Sequence, residues 1–201
     1  WVHRGVVWAT VMVVVTAGVG LVVEVVGVRT RYPFGDYAYS DVLGPLEVGG
    51  VPLAVPMAWT LMAYPTYVAA TTLVRSWWAV GLLGGWTLMA WDLFLDPMMV
   101  ELGAWSWAVA DPQVPGVEGI PAQNFLAWFA VGTVMVGILA LLPRSEVSVA
   151  QPAVLFLWVY ASSVLSAAVF FDRPGVALVG GVTMGLVALP FAVYGGVAAV
   201  D

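Results

Sequence analysis

"WWAVGLLGGWTLMAWDLFLDPMMVE", residues 77–101, decides how the chain is read. Its first part, Trp77–Leu95, holds one charged residue, Asp92, and has the length of a bilayer-spanning helix, about 20 residues. Asp92 and Asp96 stand at i and i+4, one face of a helix. Carboxylates in or beside a bilayer core are expensive, so an acid there marks function by default. Asp96 also admits a plainer reading, because Asp96-Pro97 can end the helix at the interface and leave Asp96 solvated. Asp92 lies deeper and has no such excuse.

The rest of the chain repeats the pattern. Apolar stretches at Val6–Val26, Val51–Val74, Phe125–Leu142, Pro152–Phe171 and Val176–Val200 give six spans with Trp77–Leu95. Hydrophobic residues make up 62% of the 201 positions and charged ones 9%, with a mean hydropathy of +0.99. A water-soluble domain carries about a quarter charged residues. The expectation is an all-α, polytopic membrane protein, one helical domain over 1–201, multi-pass in the cell membrane. Arg75-Ser76, Pro143–Gln151 and Asp172–Gly175 are tight connections that make antiparallel neighbours. Arg29–Gly50 and Pro97–Gln123 are long, rich in proline, glycine and aromatics.

Function classes fall away quickly. Cysteine is absent, which excludes disulfides and thiolate chemistry. The one histidine, His3, rules out multi-histidine metal boxes, and no metal or cofactor is expected. Twelve acids face six bases, all arginine, for a net charge of -6. No basic patch for nucleic acid exists. An acidic, lysine-free chain rich in Val, Ala and Gly suits the high-salt cytoplasm of a halophilic archaeon. No cleavable signal peptide is visible, since the first apolar run is too long. "GVG" at 18–20 lacks the context of a dinucleotide fold. Asp92 and Asp96 form D-x-x-x-D, but too few arginines stand near to hold a diphosphate.

Topology places both long loops and Asp172 on one side, with Arg75, Arg144 and both termini on the other. The arginines divide too evenly to orient the chain. The acids do not: ten of the twelve, among them Glu24, Asp92 and Asp96, fall at or near the long-loop face. Glu24 either pairs with Arg29 or Arg31 or joins the site. Tryptophans near an interface usually form an aromatic belt, though some can line a pocket whose ring faces stabilise a cation. Asn124 reads as a helix cap or as a group that orients water. "GVPLAVPMAW" (50–59) and "GIPAQNFLAW" (119–128) echo one another, each after a long loop. Two similar helix starts suffice to explain the echo; a duplicated hairpin around a shared site, as in many transporters, is the sharper reading.

Three ordered stretches carry a resemblance: 24–65, 91–107 and "GIPAQNFLAWF" at 119–129. Together they resemble the CruF-type carotenoid hydratases, integral membrane proteins of carotenoid biosynthesis, over most of the chain up to about Pro143. That family often has glycine where Arg31 stands, and an aromatic ahead of the G-I-P where this chain reads "VPGVEGIP". Its members usually carry another N-terminal helix, so the resemblance implies one ahead of Trp1. It also implies addition of water across the terminal double bond of an acyclic carotenoid dissolved in the bilayer, giving a tertiary alcohol. In halophilic archaea the corresponding step takes bisanhydrobacterioruberin to bacterioruberin.

Such chemistry needs a desolvated proton donor, a site that tolerates a tertiary cation, and a placed water. Asp92 is the expected general acid, with Asp96 or Glu24 as the base. Trp59, Tyr64, Trp91, Trp105, Trp107, Asn124 and Trp128 are the expected substrate-binding set. Association with other membrane proteins or carotenoid enzymes is compatible with this reading. The competing readings are a carotenoid end-group cyclase, which excludes water, and a non-catalytic carotenoid-binding subunit.

Overall fold

Glycines fix the closest contact in the molecule. The structure, a computed structural model, describes residues 4–143 and 148–198. Its six helices are α1 (Val6–Thr30), α2 (Ala54–Leu73), α3 (Trp77–Glu101), α4 (Ala122–Ala140), α5 (Ala150–Leu165) and α6 (Pro174–Ala198). Helices α3 and α4 meet through Gly81, Gly84 and Gly85 on one side and Gly132 and Gly137 on the other. A Cβ on Gly132 would stand 3.1 Å from the Cα of Gly85, and one on Gly85 would collide with the Thr133 hydroxyl and the Phe129 carbonyl oxygen. In lipid, where apolar surface gains nothing by leaving the solvent, such close backbone packing is a main source of helix association. Here it sets Asp92 and Asp96 of α3 directly against Asn124 of α4.

Five of the described helices are long and apolar enough to cross a membrane. The exception is α2, whose threonines, tyrosines and prolines lower its hydropathy. It packs against α1, α3, α4, α5 and α6, so protein, more than lipid, surrounds it, and the apolarity a lipid-facing helix needs is not required. Several of its hydroxyls are satisfied internally: Thr60 donates to the Pro56 carbonyl (2.9 Å) and accepts from Thr16 of α1 (2.9 Å), and Thr71 and Thr72 each donate to the Val68 carbonyl (3.1 and 2.9 Å).

Several expected boundaries shift. Most consequential is α3, which runs through Pro97 to Glu101, with Asp96 only 3% exposed. Asp96 is therefore not a solvated helix end. Proline costs the helix one hydrogen bond, to the carbonyl of Leu93, and the packing of Val100 against the core keeps the last turn helical. Helix α5 passes into a π turn, Ser166–Phe170. Arg144 and the predicted end of α6 at Val200 lie outside the described residues, as does His3.

The long loops are not structureless. The first contains strands β1 (Tyr37–Tyr39), β2 (Glu47–Val48) and β3 (Val51–Pro52); the second contains β4 (Trp105–Trp107), β5 (Gln113–Val114) and β6 (Val117–Pro121). β2 and β3 form one hairpin and β5 and β6 another, while β1 and β4 pair antiparallel across the two loops. An ion pair from Arg173 to Glu101 (2.7 Å) ties the α5–α6 turn to the same end. The predicted side assignment of these loops holds.

Both loops follow one plan: a helix bearing acids, a strand of alternating aromatics, a hairpin, a G-[VI]-P, and a helix bearing Ala-Trp. The offset from Gly50 to Gly119 equals that from Trp59 to Trp128, and within one residue it also relates Glu24 to Asp92. The two tryptophans stack, with ring centroids 3.6 Å apart and planes at 11°. The β1–β4 register is symmetric about Ala38↔Ser106. This geometry favours the duplicated hairpin over two coincidentally similar helix starts. Helices α1 and α3 both run toward the paired loops and α2 and α4 away from them, so the two halves share one direction across the bundle.

Two stability predictions follow from the backbone. Gly85→Ala costs about 1–3 kcal/mol by overpacking the α3–α4 crossing. It lowers the thermal midpoint in detergent, whereas Gly18→Ala, which would meet nothing within 4 Å, does not. Arg31 caps α1 in the left-handed region at φ 66°, a conformation that glycine adopts without steric cost. Its ion pair with Asp36 (3.3 Å) is too exposed to repay the strain. Arg31→Gly therefore stabilises the protein by about 1 kcal/mol, read as a raised midpoint in the same melts.

Candidate active site

Three carboxyl groups converge below the loops, where α1, α2, α3 and α4 meet β1 and β4. Two of them, Glu24 and Asp96, line a cavity of about 130 Å³ whose wall also includes Asn124, Trp59 and Trp128. Glu24, 4% exposed, accepts from the Tyr37 hydroxyl (2.6 Å) and the Tyr39 hydroxyl (2.8 Å) on one oxygen, and from Trp59 Nε1 (3.2 Å) on the other. Neither Arg29 nor Arg31 is among these partners. Asp96 accepts from Trp105 Nε1 at 3.1 Å.

Asn124 joins the two aspartates. Its amide nitrogen donates to Asp92 Oδ2 (2.8 Å) and to Asp96 Oδ2 (2.6 Å), using both of its hydrogens. The expected helix-cap role is thus overturned: α4 begins at Ala122, and Asn124 points inward from its first turn. The aspartate carboxyls are also close enough to hydrogen-bond each other. The second Asp92 oxygen, Oδ1, is buried without a partner. Among the described residues every donor to the three carboxyls is neutral: two phenols, two indoles and one amide. The site therefore lacks the compensating cation a structural buried ion pair would show.

The loops supply the aromatic walls by strand alternation. Residues i and i+2 share a face of a strand, so Tyr37 and Tyr39 of β1 point together, as do Trp105 and Trp107 of β4. Pairing sets Tyr37 opposite Trp107 and Tyr39 opposite Trp105. The rings meet at centroid distances of 6.0 and 5.8 Å. Burial, and then the neighbouring Glu24 carboxylate, hold both phenols well above the usual tyrosine range, so they stay protonated donors. Trp107 is anchored by a hydrogen bond to the Phe34 carbonyl (3.0 Å).

The structure gathers most of the expected site residues and separates three. Glu24, Asp96, Trp59, Trp105, Trp107, Asn124 and Trp128 line the cavity. Asp92 lies behind Asp96 and is not part of the wall. Trp91 is also one layer back, edge-on to Trp128 at 6.1 Å. Tyr64 does not belong to the site: it accepts from Arg4 Nε (3.2 Å) and packs against Trp8, beyond the middle of α2. Helix α2 runs away from the loops, and ten residues separate Tyr64 from its start. Sequence reasoning missed Tyr37, Tyr39 and Phe34. The signal was present as Y-A-Y and W-S-W, two alternating pairs in matching positions of the two loops.

Residues 2–191 match the family described as carotenoid biosynthesis protein. Over 123 residues the chain is 33% identical to the bisanhydrobacterioruberin hydratase of Haloarcula japonica, an alignment that covers 57% of this chain and 39% of that protein. No solved structure matches the chain. The chain, with five described helices long and apolar enough to cross a membrane, belongs to the carotenoid biosynthesis protein family.

Proposed function

We propose that this protein is a carotenoid hydratase, adding water across the terminal C=C of an acyclic carotenoid end group to form a tertiary alcohol. By likeness to its named relative, bisanhydrobacterioruberin is the substrate and the cell membrane the setting. The observation that carries this reading is the carboxyl cluster, held only by neutral donors and opening on an aromatic cavity at the end of a membrane bundle. An uncharged alkene dissolved in lipid offers no handle except its π electrons. What attacks it first must be a proton.

The geometry distributes the roles differently from a reading of spacing alone. Asp96 faces the cavity, so it delivers the proton to the less substituted alkene carbon. Asp92 shares that proton through its contact with Asp96 and the Asn124 bridge, and is a positioning residue. Protonation leaves a tertiary cation, which the ring faces around it stabilise; such attraction grows when water is excluded. Glu24, oriented by Tyr37, Tyr39 and Trp59, accepts a proton from the water that adds to the cation. The alkene gains one H and one OH, and a proton passes from water to the cluster, so no co-reactant is consumed. General acid–base groups of this kind contribute about 10²–10⁴-fold.

The test is pigment mass in cells that accumulate the anhydro precursor. The wild-type gene adds one water per reacted end. Asp96→Asn loses at least about 10²-fold of that conversion, while the protein still inserts and melts normally; near-normal conversion would remove Asp96 from the chemistry. A mass-neutral product would instead identify a cyclase. The double variant Tyr37→Phe/Tyr39→Phe strips two donors from Glu24, about 1 kcal/mol each. Its conversion rate falls roughly tenfold or more, and an unchanged rate would show that Glu24 needs no orientation.

A further inference from the structure

A second cavity, of about 180 Å³, lies on the other side of Leu95, between α3, the end of α5 and the start of α6. Leu95 of α3 lines both cavities. The new wall is of two kinds. Trp91, Phe94 and Phe171 form an apolar side, while Ser162, Ser163 and Ser166 present three hydroxyl-bearing side chains on one stretch of α5. Ser162 Oγ is turned to its own backbone, donating to the Val159 carbonyl at 3.2 Å.

The backbone is irregular at this point. Helix α5 widens into the π turn at Ser166, whose carbonyl accepts from Phe171 N at 3.0 Å. Single π turns of this kind cluster at functional sites. Arg173, also in the wall, is held by Glu101 at the end of α3. The same helix that carries the aspartates thereby closes the second cavity.

We infer that this second cavity is a subsite for the hydroxylated end of an isoprenoid chain, the alcohol that the neighbouring carboxyl cavity makes. Three features carry the inference: a wall residue, Leu95, common to both cavities, the apolar side suited to methyl-branched chain, and serine hydroxyls able to exchange hydrogen bonds with a tertiary alcohol. Hydration puts a hydroxyl on a carbon where the parent has only its double bond, so the product offers the serines one further partner at each reacted end. The new hydroxyl therefore draws the product toward the second cavity and clears the carboxyl cavity. Identifying the occupant as product rests on the hydratase reading; the preference for an alcohol over an alkene does not.

The test separates the two. Full-length protein carrying Asp96→Asn, which cannot turn over, is titrated in lipid nanodiscs with bacterioruberin and with bisanhydrobacterioruberin, following the shift in polyene absorption. The alcohol binds more tightly than the alkene. Adding Ser163→Ala and Ser166→Ala removes about tenfold of that preference, as the loss of one or two hydrogen bonds implies, without weakening alkene binding. Leu95→Trp, which fills space in the wall of the second cavity, removes the preference in the same background. Equal binding of the two carotenoids, or a preference indifferent to the serines, would overturn the subsite. Displacement of the alcohol by the membrane lipid alone would do the same, showing a lipid site. Turnover by the wild-type protein, measured in parallel, reports on the hydratase reading independently of all these outcomes.

Discussion

The arrangement depends on one bridge, the Asn124 amide held between Asp92 and Asp96. Two acids one helical turn apart in a membrane bundle repel one another unless a donor or a shared proton lies between them. Asn124 supplies the donor, and it reaches both only because α3 and α4 touch backbone to backbone through Gly81, Gly85 and Gly132. The glycines, the amide and the aspartates are thus a single device. Widening the crossing by a methyl group would pull the amide from the acids as surely as mutating it.

Around that device the two loops follow one plan. Each half contributes an acid-bearing helix, an aromatic strand and a tryptophan-bearing helix, and the halves meet in the Trp59–Trp128 stack and the β1–β4 ladder. The halves are not equivalent where the chemistry is. Glu24 in the first is met by phenols and an indole, while Asp92 in the second is met by Asn124, whose counterpart by the same offset is Val55. A symmetric scaffold has thereby acquired two kinds of carboxyl environment, which is what separating an acid from a base requires.

Much of this was legible in the sequence, for identifiable reasons. Spanning helices announce themselves by length and apolarity, and Asp92 stood out because nothing in a bilayer excuses it. Glu24, Asp96 and Asn124 were legible too, through acids crowding toward one end and an amide beside them. Other features were hidden. Strands of two or three residues leave too little alternation to count, so Tyr37 and Tyr39 were overlooked although Y-A-Y matches W-S-W. Pro97 reads locally as a helix end, yet the burial of Asp96 and Val100 outweighs one lost hydrogen bond. Tyr64 shares its helix with Trp59, and only the direction of α2 shows that it leads away from the site. Which aspartate faces the cavity is a matter of packing that spacing does not encode.

The most direct test of proton-first hydration is isotopic. Purified protein in nanodiscs would be given the anhydro carotenoid in D₂O, and separately in H₂¹⁸O under air, with the product analysed by mass. Hydration by the carboxyl cluster predicts one non-exchangeable deuterium and one ¹⁸O at each reacted end. A product whose oxygen comes from O₂, or one that gains deuterium without oxygen, would contradict it.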